Sequence, residues 1–390
     1  MSRGVRSGGG VRLLNCGVEQ FEVAIVGAGP IGLETAVALR RAGVSYVHLE
    51  AGAIGSTMGW WAPGTRYFSS PERIAIAGVP LVVAGEEKAT REEYLRYLRQ
   101  VALEFSLEVR TFERVVDTGR EGDRFLLRTR RSAHGVGGPA ELADVLGAGG
   151  EGRGACAGGA WGADDFRIYS VRSVVLAIGN MHRPRMLGVP GERLPHASHY
   201  LEDPHTYFGK RVVVVGGRNS GVEAAIRLHR AGAWVTVCQR RAELERERIK
   251  YWLLPELEWL IEKEMIGFAP SSEVREIRPD VVIIERDGRR SEIAADFVLL
   301  LTGYVQDPAL FGMLGVELFG PERRPRLDSA TMQSSVPGVY IAGTAVGGSQ
   351  DRTRVFIENS HEHVAKIARA LTGRDVGVRE AVVFEGLEEG

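Results

Sequence analysis

The sequence predicts an α/β protein of two parallel-sheet units, the second inserted within the first, and three observations predict it. The β-forming run Val23-Ala24-Ile25-Val26 ends in Gly27-Ala28-Gly29-Pro30-Ile31-Gly32, and a second run, Arg211 to Val215, ends in Gly216-Gly217-Arg218-Asn219-Ser220-Gly221. Far downstream, Gly338-Val339-Tyr340-Ile341-Ala342 ends in Gly343-Thr344 and precedes a helical pattern, which reads as a return to the first unit. A strand that closes in a glycine turn and feeds a helix aims backbone N–H groups and the positive helix end at one spot, where a pyrophosphate binds. Both units are therefore predicted to be Rossmann-like dinucleotide-binding domains.

The chain has 390 residues, 44% hydrophobic and 25% charged, enough for two sizeable cores. Its 49 basic and 50 acidic residues leave a net charge of −1, so no global field recruits nucleic acid or anionic lipid. No apolar run approaches the roughly 18 residues of a membrane span. Arg3, Arg6 and Arg12 have no apolar stretch behind them to form a signal peptide, and a cytoplasmic location is expected. Cys16, Cys156 and Cys238 form neither a Cys-x-x-Cys pair nor a metal spacing, so neither a disulfide framework nor a metal site is expected.

Residues 1–20 read as a disordered tail rich in Gly, Ser and Arg. In the first turn, Gly27 permits the bend, Gly29 the close approach of a ligand and Gly32 the packing of helix on strand. The next strand, Ser45 to Leu49, ends in Glu50, 18 positions beyond Gly32, about where an acid meets a ribose hydroxyl. An acid at this place suits FAD. The stretch from Gly55 through Trp60-Trp61 to Arg73 has no clear period; it is a candidate lining for a flat aromatic ring, with a core-edge role as the alternative. Thr90-Arg91-Glu92-Glu93 resembles a capping box opening a helix to about Phe105. Strands are expected at Glu108–Phe112 and Val115–Val116, with Arg124–Thr129 continuing a meander. Residues 132–165, dominated by Gly and Ala, read as a flexible insertion in a hairpin whose second strand is Arg167–Ser170, and they carry Cys156. The apolar strand Ser173 to Ile178 then ends in Gly179, which joins Pro30 among the expected cofactor contacts.

After the second turn a helix is expected over Val222–Arg230, and the strand Trp234–Cys238 ends not in an acid but in Gln239-Arg240-Arg241. Arginines at this tip pair with a 2′-phosphate, which favours NADPH over NADH; a solvated basic turn is the alternative. Arg218 breaks the glycine fingerprint and is tolerated only if its side chain points away from the phosphates or contacts one. Cys238 reads as a small core hydrophobe. A helix to Met265 and a three-strand return follow, made of Val274–Ile277, Val281–Glu285 and Phe297–Leu301, and the carboxy-terminal helix is expected from about Arg352 to Leu371. The expected division is 21–204 for the first part of the FAD-binding domain, 205–302 for the NADPH-binding domain and 303–390 for the second FAD-binding part.

The order of these features resembles the flavoproteins with two dinucleotide-binding domains, the class that includes thioredoxin reductase, and within it the bacillithiol disulfide reductase family. The carrying residues are Phe68-Ser69-Ser70-Pro71-Glu72-Arg73 through Pro80, Pro190-Gly191-Glu192 through His199-Tyr200, Gly216 to Ser220, Ile249-Lys250-Tyr251-Trp252 to Pro255, and Val355-Phe356-Ile357-Glu358-Asn359. The resemblance implies that Gly27, Gly29, Gly32 and Glu50 hold FAD, that Gly216, Gly217, Asn219 and Ser220 hold the NADPH phosphates and Arg240 with Arg241 the 2′-phosphate, and that Gly343 and Thr344 lie by the ribityl chain and flavin. It further implies hydride transfer from NADPH to flavin and then reduction of a low-molecular-weight disulfide; a homo-oligomer is expected. This chain has Ile31 where that family usually carries a cysteine, so no protein thiol is supplied there. Three other readings stand beside it: a reductase of a small electron-carrier protein such as a ferredoxin, a flavin monooxygenase suggested by Pro190-Gly191 and His196 to Tyr200, and a non-catalytic flavin redox sensor.

Overall fold

A computed structural model describes residues 17–131, 166–350 and 354–376. The expected insertion at 132–165, most of the expected tail, Cys16 and Cys156 lie outside the described residues.

The first sheet is built on Glu19–Val26, which begins before the expected tail has ended. Its two halves differ: Glu19-Gln20-Phe21-Glu22, with three polar residues, alternates between half-buried and exposed, whereas the apolar Val23–Val26 is buried on both faces, as parallel strands covered by helices are. Strand order across this sheet is Val109–Arg110, Tyr46–Leu49, Glu19–Val26, Phe166–Leu176, Arg124–Arg131 and Glu113–Glu121, with Val339–Ile341 pairing on Phe166–Leu176. The expected strands Arg167–Ser170 and Ser173 onward are one continuous strand, because Glu19–Val26 pairs parallel with it across both, from Tyr169 to Leu176, while Arg124–Arg131 pairs antiparallel with its first half and Val339–Ile341 parallel with its end. The expected Glu108–Phe112 strand shrinks to Val109–Arg110, since Phe112 turns out of it at φ +56°, and Glu113–Glu121 takes over the hairpin.

The second sheet runs Gly267–Ala269, Trp234–Cys238, Arg211–Val215, Phe297–Leu300, Ala197–Ser198, all parallel. Phe297–Leu300 therefore belongs here and not to the three-strand return, whose third strand is Arg289–Ala294. That strand is almost wholly exposed, so it has no apolar alternation to read. The helix after the second turn starts at Asn219, the next one ends at Glu262, and the last spans His361–Thr372, beginning nine residues later than expected. Val339–Ile341 returns the chain to the first sheet after the second sheet is complete. In each unit the glycine turn sits at the carboxyl end of the strand from which its parallel neighbours diverge to either side, the switch point where open α/β sheets bind ligands.

Candidate functional site

The first turn is shaped by what cannot be there. Gly27 holds φ +104°, and a Cβ on it would stand 2.5 Å from the Ala177 carbonyl oxygen; one on Gly32 would stand 1.9 Å from the Gly27 oxygen. A Cβ on Gly29 would meet nothing within 4 Å, so the space beyond this residue is open. Helix Pro30–Arg41 starts here with proline in its first turn, no side-chain cap and no acid in that turn. Its first N–H groups and positive end are thus left for an anion.

Glu50 is 8% exposed, and its carboxylate accepts hydrogen bonds from the Ala28 N–H at 2.7 Å, the Gly52 N–H at 2.7 Å and the Ser56 hydroxyl at 3.1 Å. Burial pushes its pKa up, against the pull of those three donors and of Arg114. Glu50 thus braces the turn as well as facing the cleft. Sequence reasoning missed His48 beneath it: fully buried, its Nε2–H donates to the Gly27 oxygen at 2.9 Å, and burial pulls its pKa down to about 4, so the ring is neutral.

Gly179 and the Gly343 turn close over the same place. A Cβ on Gly179 would lie 3.7 Å from the Thr344 hydroxyl, and one on Gly343 would lie 3.4 Å from Ile31. The Gly343 N–H donates to Nδ1 of His363, whose pKa burial pulls down to about 4. Ile31 is 5% exposed and fills the gap between the two turns. Of the aromatic stretch, Trp61 packs on Tyr67 at 5.0 Å between centroids and Tyr67 on Tyr94 at 4.6 Å, a core-edge arrangement, while Trp60 turns its edge to Tyr200 at 6.5 Å. Both tryptophans also line the cleft.

The second turn repeats the design. Gly216 holds φ +132°, where a Cβ would stand 2.4 Å from the Leu301 oxygen; on Gly217 it would stand 1.8 Å from the buried Gln239 side chain. Helix Asn219–Arg230 also begins without a side-chain cap or a first-turn acid. The Asn219 side-chain oxygen accepts the Lys250 N–H at 2.6 Å, and Ser220 is exposed. Arg218 points sideways, its Nε 3.3 Å from Glu245. Glu245, which sequence reasoning passed over, also pairs with Arg241 at 2.8 Å and Arg248 at 3.3 Å. Arg240 is exposed beside this cluster. The two predicted arginines are thus placed together, but only Arg241 is drawn toward a carboxylate here.

Cys238 is fully buried, its thiol facing the Ser272 oxygen at 3.7 Å, and burial pushes its pKa up to about 12, which makes it a core group and not a nucleophile. In the Pro190 to Tyr200 run, a Cβ on Gly191 would stand 1.8 Å from the Ile277 oxygen, and the Glu192 carboxylate accepts the Leu187 and Gly188 N–H groups. This run therefore docks the linker onto the three-stranded sheet. Both glycine turns, Glu50, Gly179, Thr344 and Arg240 line one cleft of about 2320 Å³, several times the roughly 300–1,000 Å³ of a single small-molecule site. Two excluded-Cβ cradles, each at an uncapped helix start, fit two dinucleotides.

Residues 24–135 and 165–343 match the family described as pyridine nucleotide-disulphide oxidoreductase. Over 359 residues, 91% of this chain and 99% of the other, the sequence is 31% identical to the bacilliredoxin reductase Bdr of Bacillus subtilis (strain 168). A ferredoxin–NADP reductase of Ignicoccus hospitalis is 26% identical over 83% of this chain and 89% of its own length. The solved structure of bacillithiol disulfide reductase Bdr from Bacillus cereus superposes with a TM-score of 0.79 at 30% identity, covering 91% of this chain and all of that one. Among the described residues, no helix is long and apolar enough to cross a membrane.

Proposed function

This chain belongs to the pyridine nucleotide-disulphide oxidoreductase family, and on that premise we propose that it is an NADPH-dependent FAD oxidoreductase whose acceptor is a low-molecular-weight disulfide of the bacillithiol type. Bound FAD supplies the two-electron relay between the nicotinamide and the disulfide. The overall balance is one NADPH, one proton and one disulfide giving NADP⁺ and two thiols.

The chain's own residues divide the work. Gly27, Gly29, Pro30 and Gly32 hold the FAD pyrophosphate on the start of helix Pro30–Arg41, and Glu50 keeps that turn in shape through its bonds to Ala28 and Gly52. Gly179, Gly343 and Thr344 border the ribityl chain and ring. Gly216, Gly217, Asn219 and Ser220 receive the NADPH pyrophosphate, and Arg240 with Arg241 the 2′-phosphate, Arg241 exchanging the Glu245 carboxylate for it. The NADPH-binding unit, expected at 205–302, also takes in Ala197–Ser198, which pairs with Phe297–Leu300, and it stands between two FAD-binding parts, the first of which begins at Glu19 and not at 21, the second expected at 303–390. Ile31 packs against Gly343 and contributes no thiol at the first turn, and we expect the reduction to involve no protein cysteine. A cytoplasmic homo-oligomer is the form in which we expect it to work.

The observation that carries this reading is that both cradles open into one cleft, which lets two nucleotides share one space. Its test is anaerobic addition of NADPH to the flavin-loaded protein, followed by bacillithiol disulfide, glutathione disulfide, thioredoxin or ferredoxin. Bleaching by NADPH and recolouring by bacillithiol disulfide is expected. Recolouring by ferredoxin alone would replace the acceptor, a replacement to which the Ignicoccus hospitalis match gives some ground. A flavin that NADPH does not bleach would overturn the whole reading.

A further inference from the structure

Residues 63–68 of the first unit, a loop beyond the strand Tyr46–Leu49, and the helix that starts at the second turn are bolted together by buried charge. Lys250 is 8% exposed; its ammonium donates to the Glu223 carboxylate at 2.7 Å and, across to the first unit, to the Arg66 carbonyl at 2.9 Å. One turn further along the same helix, Arg227 donates to the Thr65 hydroxyl at 3.1 Å and to the Pro63 carbonyl. Phe68 and Trp252 stack across the same junction, 5.8 Å apart and 20° from parallel. Both sides of the junction are anchored. The Arg91 N–H donates to the Thr65 carbonyl at 2.8 Å and the Tyr67 N–H to the Ala89 carbonyl at 2.9 Å, fixing residues 63–68 to the first unit. On the other side the Lys250 N–H is bonded at 2.6 Å to Asn219, the first residue of the helix at the second turn.

We propose that Lys250 and Arg227 are positioning residues: with Glu223 they form a latch that sets the distance and angle between the two nucleotide sites. The inference rests on the reading of those sites as FAD and NADPH cradles. The chemistry favours a positional role. Lys250 finds an anion and a carbonyl on its own protein, so it has no need of a ligand to be satisfied, and burying an ammonium is tolerated only when it is paired in this way. The partners in the first unit are two main-chain carbonyls and one hydroxyl, which neither titrate nor repel, so the latch holds by geometry. Hydride transfer depends steeply on approach, and a misplacement of about 1 Å can cost on the order of 10²-fold in rate.

The test uses flavin-loaded protein carrying Lys250→Met, Arg227→Met or Lys250→Arg, with retained flavin content and visible spectrum as the check on folding. Stopped-flow mixing with NADPH should show bleaching slowed about 10- to 100-fold in the methionine variants, with the NADPH dissociation constant changed by less than about threefold. The arginine variant, which keeps the charge and can still donate to a carboxylate and a carbonyl, should recover part of the rate that the methionine variant loses. Amide exchange of residues 64–68 should quicken in the methionine variants without any nucleotide present. Unchanged bleaching, a loss confined to NADPH affinity, or slowed bleaching with unchanged exchange would each overturn the latch. A wild-type protein that NADPH does not bleach, with exchange still quickened in the variants, would instead defeat the functional reading and leave the latch standing.

Discussion

Replacing Glu50 by glutamine tests whether the first cradle is a built site. The side chain is isosteric, yet both oxygens of the carboxylate are committed: one accepts the Ala28 N–H at 2.7 Å, the other the Gly52 N–H at 2.7 Å and the Ser56 hydroxyl at 3.1 Å. A glutamine amide must turn its NH₂ toward one side or the other, so in either orientation a backbone N–H faces a donor. Because the group is 8% exposed, that N–H has little water to turn to. Losing one charge-assisted bond and stranding one buried donor costs about 2–3 kcal/mol. Ala28 lies inside the turn, so the cost falls on the geometry that receives the pyrophosphate, and about 2–3 kcal/mol corresponds to roughly a 30- to 150-fold weaker hold on FAD. Titration of flavin-free protein with FAD, followed by quenching of flavin fluorescence, measures this directly. If Glu50→Gln binds FAD within threefold of wild type, Glu50 does not brace the turn and the argument from its three bonds fails.

Three further outcomes follow from the same geometry. Arg240→Ala with Arg241→Ala should raise the Michaelis constant for NADPH roughly 10- to 100-fold while leaving NADH almost unchanged, the about 1.5–3 kcal/mol of one charge-assisted bond to phosphate, because the bond from Arg241 is largely offset by the Glu245 pairing it gives up; an unchanged preference would refute the assignment. A variant with Cys16, Cys156 and Cys238 all replaced by serine or alanine should keep its disulfide reductase turnover within about twofold, at a cost of about 1 kcal/mol in stability for the buried Cys238; loss of turnover in a folded, flavin-loaded variant would show that a thiol takes part. Finally, burial pulls the pKa of His361 down, but the Glu34 carboxylate at 2.7 Å and the Arg73 carbonyl more than offset it and raise it above the usual histidine value. Its stabilisation is therefore full below the unfolded pKa and lost as pH rises through the folded one, whereas His48, neutral with a pKa of about 4, destabilises as pH falls from about 6.5 toward 4. Melting temperature against pH should accordingly fall on both sides of neutrality, and His361→Gln should remove the alkaline fall alone.

The parts of this molecule legible in the sequence are those fixed by local rules. The strand Trp234–Cys238 is bounded as expected because five β-forming residues lie between a Gly-Ala turn and a polar tip. The helix at Arg91 starts where the capping box places it, with the Thr90 side chain accepting the Glu93 N–H and the Glu93 carboxylate accepting the Thr90 N–H. Illegible parts depend on partners distant in sequence. Arg289–Ala294 is a strand only because it pairs with Val281–Arg286, and Phe297–Leu300 leaves the meander because it buries between Arg211–Val215 and Ala197–Ser198. At the site, both turns were readable since strand, glycine and helix start are contiguous. His48 was not, because nothing in its own strand announces that its ring lies under Gly27. Glu245 was not, because a carboxylate that gathers Arg218, Arg241 and Arg248 looks in sequence like one more charge in a basic stretch.

This division bears on how function varies in such a fold. At Gly27, Gly32, Gly216 and Gly221 a side chain is excluded by backbone atoms within 2.5 Å, so these positions serve any dinucleotide and say little about the reaction. The reaction is decided at positions the glycine pattern leaves free. Ile31 sits at a helix start whose N–H groups and dipole would acidify a thiol placed there, and its packing against Gly343 spends that position on filling space. Arg218 occupies the turn position where the middle glycine of the fingerprint would have left room, and its guanidinium lies against Glu245. Lys250 ties the second turn to the loop beyond the first. None of these three side chains supplies a glycine conformation on which either turn depends, so they are the places where a chain of this fold is free to vary.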